Sequence, residues 1–332
     1  MAGTDSSRTV EAIAANGDHG PQRPTATSAR GRGTTLRRRE AWAAYGFIAP
    51  WIVGFVIFMA VPMSISLVLS FTDYDGLRQS TFVGFENYAA MLADPRIRLS
   101  LLNTMVYAIM VVPSTMVVAL ALATLLSKVG RRSAGFFRTV FYLPEITPKV
   151  AIGVLFLLLL NGEVGVVDAA LGAVGIDGPG WTTDPDWIKP GLVLMNLWSV
   201  GGTVVIYLAA LQNVPTDLYE AAAIDGASPW QQFRRITLPM ISPALFFTLI
   251  VQTIAALQTF DEAYAAFYGP STQTGSATDA ALFYLIYLFQ QAFQFLHLGY
   301  ASAMAWLLFV IIMVITAIQV RVSRRLVHYE GR

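Results

Sequence analysis

The chain has 332 residues, no cysteine, 55% apolar residues and only 13% charged residues, with a mean hydropathy of +0.56. Soluble domains carry about 25% charge, so half that value points to lipid as the solvent. A net charge of +1 leaves no bulk basic field for nucleic acid, and the lack of Cys excludes disulfides, thiol nucleophiles and thiolate metal sites.

Residues 1–40 are rich in Ser, Thr, Gly, Ala and Arg and contain no apolar run. They read as a disordered cytoplasmic tail. The tail lacks the apolar core of a cleavable signal peptide, so the first span is expected to be its own uncleaved insertion signal. Arg37, Arg38 and Arg39 then anchor the tail at the anionic inner lipid surface.

A membrane domain is expected over 41–328. Residues 41–72, 99–127, 190–216, 236–260 and 298–320 contain no Asp, Glu, Lys, Arg or His. Each is long enough for a helix of about 20 residues to cross the hydrocarbon core. A sixth candidate, roughly 138–160, is apolar except for Glu145 and Lys149. The runs are continuous rather than alternating, which favours helices over a barrel. The fold class predicted is therefore all-α, with six transmembrane helices.

Residues 280–296 are apolar but broken by Gln290, Gln291 and Gln294. With six spans and the N-terminus inside, the inner segments hold 17 of the 22 Lys and Arg, and the outer segments hold 4. A seventh span would place Arg321, Arg324 and Arg325 outside, against the positive-inside bias. The segment is read as an amphipathic or partly inserted outer helix, with both termini cytoplasmic.

The chemistry missing from the chain is informative. Lysine occurs only at 128, 149 and 189, so no Gly-Lys-Ser/Thr phosphate loop exists. HExxH and GxSxG elements are absent. His19, His297 and His328 are too scattered for a His-rich metal site. No catalytic constellation is visible, so energy for pumping must come from an ion gradient or from another subunit.

The inner loop between spans four and five, 213–240, is the most informative stretch. Thr216 or Asp217 can cap a first short helix carrying Ala221, Ala222 and Ala223. Gly226 can supply a left-handed stop. Ser228, Pro229 and Gln231 form the start of a second helix with a capping box, and Pro239 is expected to end it. Ala221, Ala222, Gly226 and Ala227 present a small-residue face that another surface can approach closely. Trp230, Phe233 and Ile236 are expected to rest on the spans. The loop reads as a docking element; the plainer alternative is an ordinary amphipathic loop helix.

Glu220-Ala221-Ala222, Asp225-Gly226-Ala227 and Ile236-x-Leu238-Pro239 resemble the EAA loop of permease subunits from binding-protein-dependent ABC importers. Further segments resemble the first permease of the carbohydrate branch, similar to the maltose, glycerol-phosphate and lactose systems. These are Phe58-x-x-x-Pro62, Ser70 to Tyr74, Phe82-Val83-Gly84-Phe85-x-Asn87-Tyr88, Tyr142-Leu143-Pro144, Asn196-Leu197-Trp198, Phe260-Asp261, Gly269-Pro270 and Gly299 to Ala303. The resemblance covers roughly 45–325. It implies a type I importer permease in the bacterial plasma membrane, importing a sugar or sugar-like solute. It also implies a second permease subunit, two copies of a cytoplasmic ATPase and an extracytoplasmic substrate-binding protein as partners. No cofactor is expected on this chain, and ATP and magnesium would sit on the ATPase. The loop would be the coupling helix, contacting the ATPase through Glu220, Ala221, Ala222, Asp225, Gly226 and Ala227. A stand-alone secondary transporter or channel is the alternative.

Two polar stripes suggest a solute pathway. Asn196, Ser199, Thr203 and Tyr207 share one helical face, and Thr248, Gln252 and Thr259 share another. Polar side chains are costly toward lipid, so both stripes should face the bundle interior. Hydroxyls, amides and aromatics suit a sugar; helix–helix packing is the alternative use. The resemblance places Asn196 in a segment that lines the sugar site of the maltose-transporter permease. Glu145 and Lys149 are spaced as an i, i+4 pair near mid-membrane, either touching a polar substrate or forming a structural ion pair. Asp261 and Glu262 are read as exposed charges at the outer end of span five.

Overall fold

The computed structural model describes residues 33–129, 131–162, 165–268 and 276–326. Two compact units divide at Pro62. In the first, helix Gly33–Phe55 passes into a π-helical turn, Val56–Ala60. Such a turn has room for the proline that follows at Pro62. Trp42, Phe47, Trp51 and Phe58 are all exposed. The helical stretch Glu40–Leu69 has 30 residues and a peak hydropathy of 2.5. An exposed apolar helix of that length matches lipid, not water.

The second unit is organised around the 33-residue helix Pro95–Ser127. Asp94 caps its start by accepting from the Arg96 amide at 2.8 Å, and Pro95 occupies the first turn, where its missing N–H costs nothing. Pro113 lies within this helix without ending it. Helices Pro185–Trp198, Gly201–Gln212, Ser242–Leu257 and Tyr284–Phe289 pack against it. Small residues at the contacts, Ala108, Ala119 and Ala123, let the backbones approach.

Hydrogen bonds fasten the helices where apolar burial cannot, since lipid tails are as apolar as Leu. Asn103 Nδ2 donates to the carbonyls of Asp279 at 2.8 Å and Leu282 at 3.0 Å. Thr104 Oγ1 accepts from the Tyr284 amide at 2.9 Å, and Tyr284 donates to the Met304 carbonyl at 2.9 Å. These bonds draw the expected outer helix, 280–296, into the packed interior, where Tyr284, Ile286, Tyr287 and Gln291 are buried.

Among the described residues, four helical stretches are long and apolar enough to span: Glu40–Leu69, Pro95–Ser127, Ser242–Phe267 and Leu298–Ser323. Two further spans are bent pairs, Gly135–Ile146 with Lys149–Leu159 at 96°, and Pro185–Trp198 with Gly201–Gln212 at 55°. Counting each pair once gives the six spans expected. The first bend has an evident cause: Thr147 is extended before Pro148. The second falls at Ser199 and Val200. There Gly201 lies so close to the Phe141 carbonyl that a Cβ would collide with it.

The motif residues of the loop after Leu69 converge. Asn87 Nδ2 donates to the carbonyls of Ser70 and Thr72 at 2.9 and 2.8 Å. Phe71, Phe85 and Tyr88 cluster through their rings, and the Gly299 amide donates to the Tyr74 carbonyl at 2.9 Å.

Candidate functional site

The inner loop is built as two short helices. The first, Thr216–Ile224, starts after Pro215 with no side-chain cap, so Thr216 and Asp217 do not cap it as expected. Asp217 instead sits in the first turn, favourable to the helix dipole. At the other end, Gly226 has φ +78°. The Gly226 amide donates to Ala223 O at 3.0 Å and the Ala227 amide to Ala222 O at 2.9 Å. This pair of bonds is a Schellman stop, which requires a left-handed residue.

The second helix starts with the expected capping box, Ser228 N to Gln231 Oε1 at 2.8 Å and Gln231 N to Ser228 Oγ at 3.4 Å. It ends at Met240, one residue past Pro239, with a turn at Ile241. Pro229–Gln232 widens into a π-helical turn, Phe233–Thr237, and the chain continues through Leu238–Met240 to Ser242–Leu257. Tyr219 and Thr237 join the two arms through a 2.9 Å hydroxyl pair. Trp230 stacks on Phe233 but is 68% exposed, so it does not rest on the spans. The arms enclose an open notch of about 390 Å³, lined by Ala222, Asp225, Gly226, Ala227, Gln231 and Arg235 among others. Glu220 and Ala221 are exposed on the first arm.

The polar stripes meet one another. Tyr207 and Thr248 share a 2.6 Å hydroxyl hydrogen bond, and Gln252 Nε2 donates to Thr203 Oγ1 at 2.9 Å. These four residues tie Gly201–Gln212 to Ser242–Leu257. Thr259 is also buried. Asn196 Oδ1 accepts from Thr115 Oγ1 at 3.0 Å.

Asn196 and Ser199 also line a cavity of about 30 Å³ together with Lys149, Ile152, Met195 and Glu262. It lies beside both span breaks. A cavity this size holds about one water molecule. Two atoms of these lining residues, Ser199 Oγ and Glu262 Oε2, are buried and have no hydrogen-bond partner among the described residues.

Glu145 and Lys149 do not share a helix. Glu145 lies in the 3₁₀ turn Leu143–Ile146, and Lys149 begins the next helix beyond Pro148. No ion pair joins them among the described residues. The Glu145 carboxylate lies against Gly202, in the first turn of Gly201–Gln212, where the helix dipole favours an anion. Glu262, read from sequence as an exposed charge, is only 7% exposed. The chain turns at Gln258 and re-enters a helix, Asp261–Phe267, with Ala263, Ala265 and Ala266 buried. Gly153 admits this helix closely: a Cβ there would stand 2.5 Å from the Glu262 carbonyl. The signal available in the sequence was the small-residue face of Asp-Glu-Ala-Tyr-Ala-Ala-Phe.

At the start of Pro95–Ser127, Asp94 Oδ2 accepts from Tyr287 at 2.6 Å and Tyr300 at 3.0 Å. Burial pushes its carboxyl up. The hydrogen bonds from Tyr287, the Arg96 amide and Tyr300 outweigh burial and hold it below the ordinary carboxylate value. Gly269 and Pro270, noted in the sequence, lie outside the described residues. No cluster of three or more His, Asp or Glu able to hold a metal occurs among the described residues.

Comparison with known proteins places this geometry. Residues 88–328 match the family described as binding-protein-dependent transport system inner membrane component. The chain is 40% identical over 298 residues to the probable ABC transporter permease protein YesP of Bacillus subtilis (strain 168), covering 89% of this chain and 94% of that one. It is 34% identical to the lactose transport system permease protein LacF of Rhizobium radiobacter, covering 88% and 97%. Among solved structures, a permease chain of a bacterial ABC transporter involved in the import of the acidic polysaccharide alginate has the same fold. It superimposes with a TM-score of 0.77 at 24% identity, over 89% of this chain and 99% of that one. The chain belongs to the inner-membrane permease family of binding-protein-dependent ABC importers.

Proposed function

We propose that this permease carries a sugar or sugar-like solute across the plasma membrane as one half of an ATP-driven pore. The names of its relatives support the cargo class: lactose for LacF and arabinooligosaccharides for AraP, which is 30% identical. The other half of the pore is a second permease, a different chain or another copy. Two copies of a cytoplasmic ATPase and an extracytoplasmic binding protein complete the assembly, with both termini of this chain on the cytoplasmic side. ATP and magnesium act on the ATPase.

The observation that carries the mechanism is the bent inner loop. Its Schellman stop at Gly226 and its Tyr219–Thr237 bond make it a stiff lever rather than a slack linker. Glu220, Ala221, Ala222, Asp225, Gly226 and Ala227 present that lever to the ATPase. Closure of the ATPase dimer drags the loop, and the spans change between outward and inward access. Asn196, Ser199 and Lys149 border the solute path beside the two span breaks, the place where backbone and polar side chains can meet a solute inside a membrane. Thr203, Tyr207, Thr248 and Gln252 hold the path wall together through their mutual hydrogen bonds. Thr259 lies buried beyond them, and Glu145 steadies the second break.

The test is to solubilise the intact assembly and reconstitute it in liposomes with the binding protein. A copurifying ATPase and uptake that stops without ATP are expected. Uptake by this chain alone, driven by an ion gradient, would establish a stand-alone secondary transporter instead.

A further inference from the structure

The cavity beside the span breaks contains a charge that the pathway reading does not yet use. Glu262 is 93% buried by its 7% exposure, and its Oε2 has no hydrogen-bond partner among the described residues. A buried carboxylate oxygen left unpaired is costly, and carboxylates are acceptors only. The same small cavity is lined by Ser199, whose buried Oγ is equally unpaired, and by Asn196 and Lys149. Lys149 is exposed at the rim and carries three donors. The cavity therefore has an acceptor end and a donor end, and the two formal charges cancel.

We propose that Glu262 binds the transported solute, accepting hydrogen bonds from its hydroxyl groups, and that the site selects neutral, hydroxyl-rich rings over acidic ones. The inference rests on the sugar-permease reading above. A polyol supplies the donors that Glu262 lacks, and its remaining oxygens accept from Ser199 and Lys149. An acidic sugar is disfavoured because its carboxylate meets a buried anion whose charge already balances Lys149, the cation lining the cavity among the described residues. At about 30 Å³ the cavity is too small for a sugar ring, so a ring enters when the spans at the 147–148 and 199–200 breaks separate.

The test uses the complete assembly in liposomes with its binding protein and ATP. Lactose, arabinotriose and an alginate trisaccharide are offered as probes to wild type, Glu262→Gln, Glu262→Asp and Ser199→Ala. A hydrogen bond to a charged group supports roughly a tenfold or larger change in affinity. Wild type is expected to take up a neutral probe in preference to the acidic one. E262Q should raise KM about tenfold while ATPase copurification stays unchanged, with E262D partly restoring it. S199A, which removes one oxygen and spares the charge, should raise KM several-fold; it carries the test if E262Q fails to assemble. Unchanged KM in the assembled variants, or preference for the alginate trisaccharide, overturns the proposal and leaves the sugar reading intact. If wild type takes up none of the three, the sugar reading falls, and the proposal with it.

Discussion

Replacement of Gly226 separates what the loop needs for its own fold from what a partner needs of it. At φ +78° an L-residue is strained, by about 1–2 kcal/mol. A Cβ built there meets nothing within 4 Å, so no steric cost adds to the backbone cost. Gly226→Ala should therefore lower the population of the correctly bent loop by about five- to thirtyfold. Gly226→Asn should cost less, since Asn tolerates this region. Gly226→Trp has nearly the same backbone cost as alanine, but its ring projects into the notch of about 390 Å³. Any loss beyond the alanine variant then reports a surface outside this chain. Each variant is measured for membrane level, ATPase copurification and ATP-driven uptake. Tryptophan should abolish the last two while the membrane level holds. A tryptophan variant that assembles and transports as well as alanine refutes the docking role.

Two further outcomes follow from the geometry. In a double-mutant cycle of Tyr207→Phe and Thr248→Val, thermal unfolding in detergent should give a coupling of about 1 kcal/mol, because the 2.6 Å bond joins two helices. No coupling with an altered KM would place these hydroxyls on the solute instead. Because the Asp94 carboxyl is lowered in the folded protein, its contribution is fully present above the unfolded carboxylate value of about 4 and is lost as pH falls through the lower folded value. Asp94→Asn should flatten the acid limb of Tm against pH; parallel limbs for both proteins would remove Asp94 from acid stability.

Much of the fold was legible because lipid imposes so strict a rule. The charge-free windows 99–127, 236–260 and 298–320 fall within or closely overlap helices that can span. The loop was legible for a different reason, since Gly226 and the Ser228 box use local chemistry that needs no tertiary context. What escaped depends on distant neighbours. The bend at Ser199 has no proline, and only Gly201 and Gly202 hinted that another backbone comes close. Glu262 reads as a loop charge because the charge-free window ends at 260. Its burial arises from packing against a helix more than 100 positions earlier in the chain. The Glu145–Lys149 spacing misled because an i, i+4 rule holds only inside an unbroken helix, and Pro148 interrupts this one. Pro239 marks the stop of the second loop helix to within one residue, because that helix ends at Met240 and the chain turns at Ile241.

The near-contact at Gly153 has a mechanical consequence. With the Glu262 carbonyl 2.5 Å from where a side chain would begin, Lys149–Leu159 and Asp261–Phe267 meet backbone to backbone, and the pair is expected to move together. Whatever rearrangement exposes the interior to either compartment is then absorbed at the two kinks that bound the neighbouring half-helices, which concentrates the hinge of the molecule in a handful of backbone torsions.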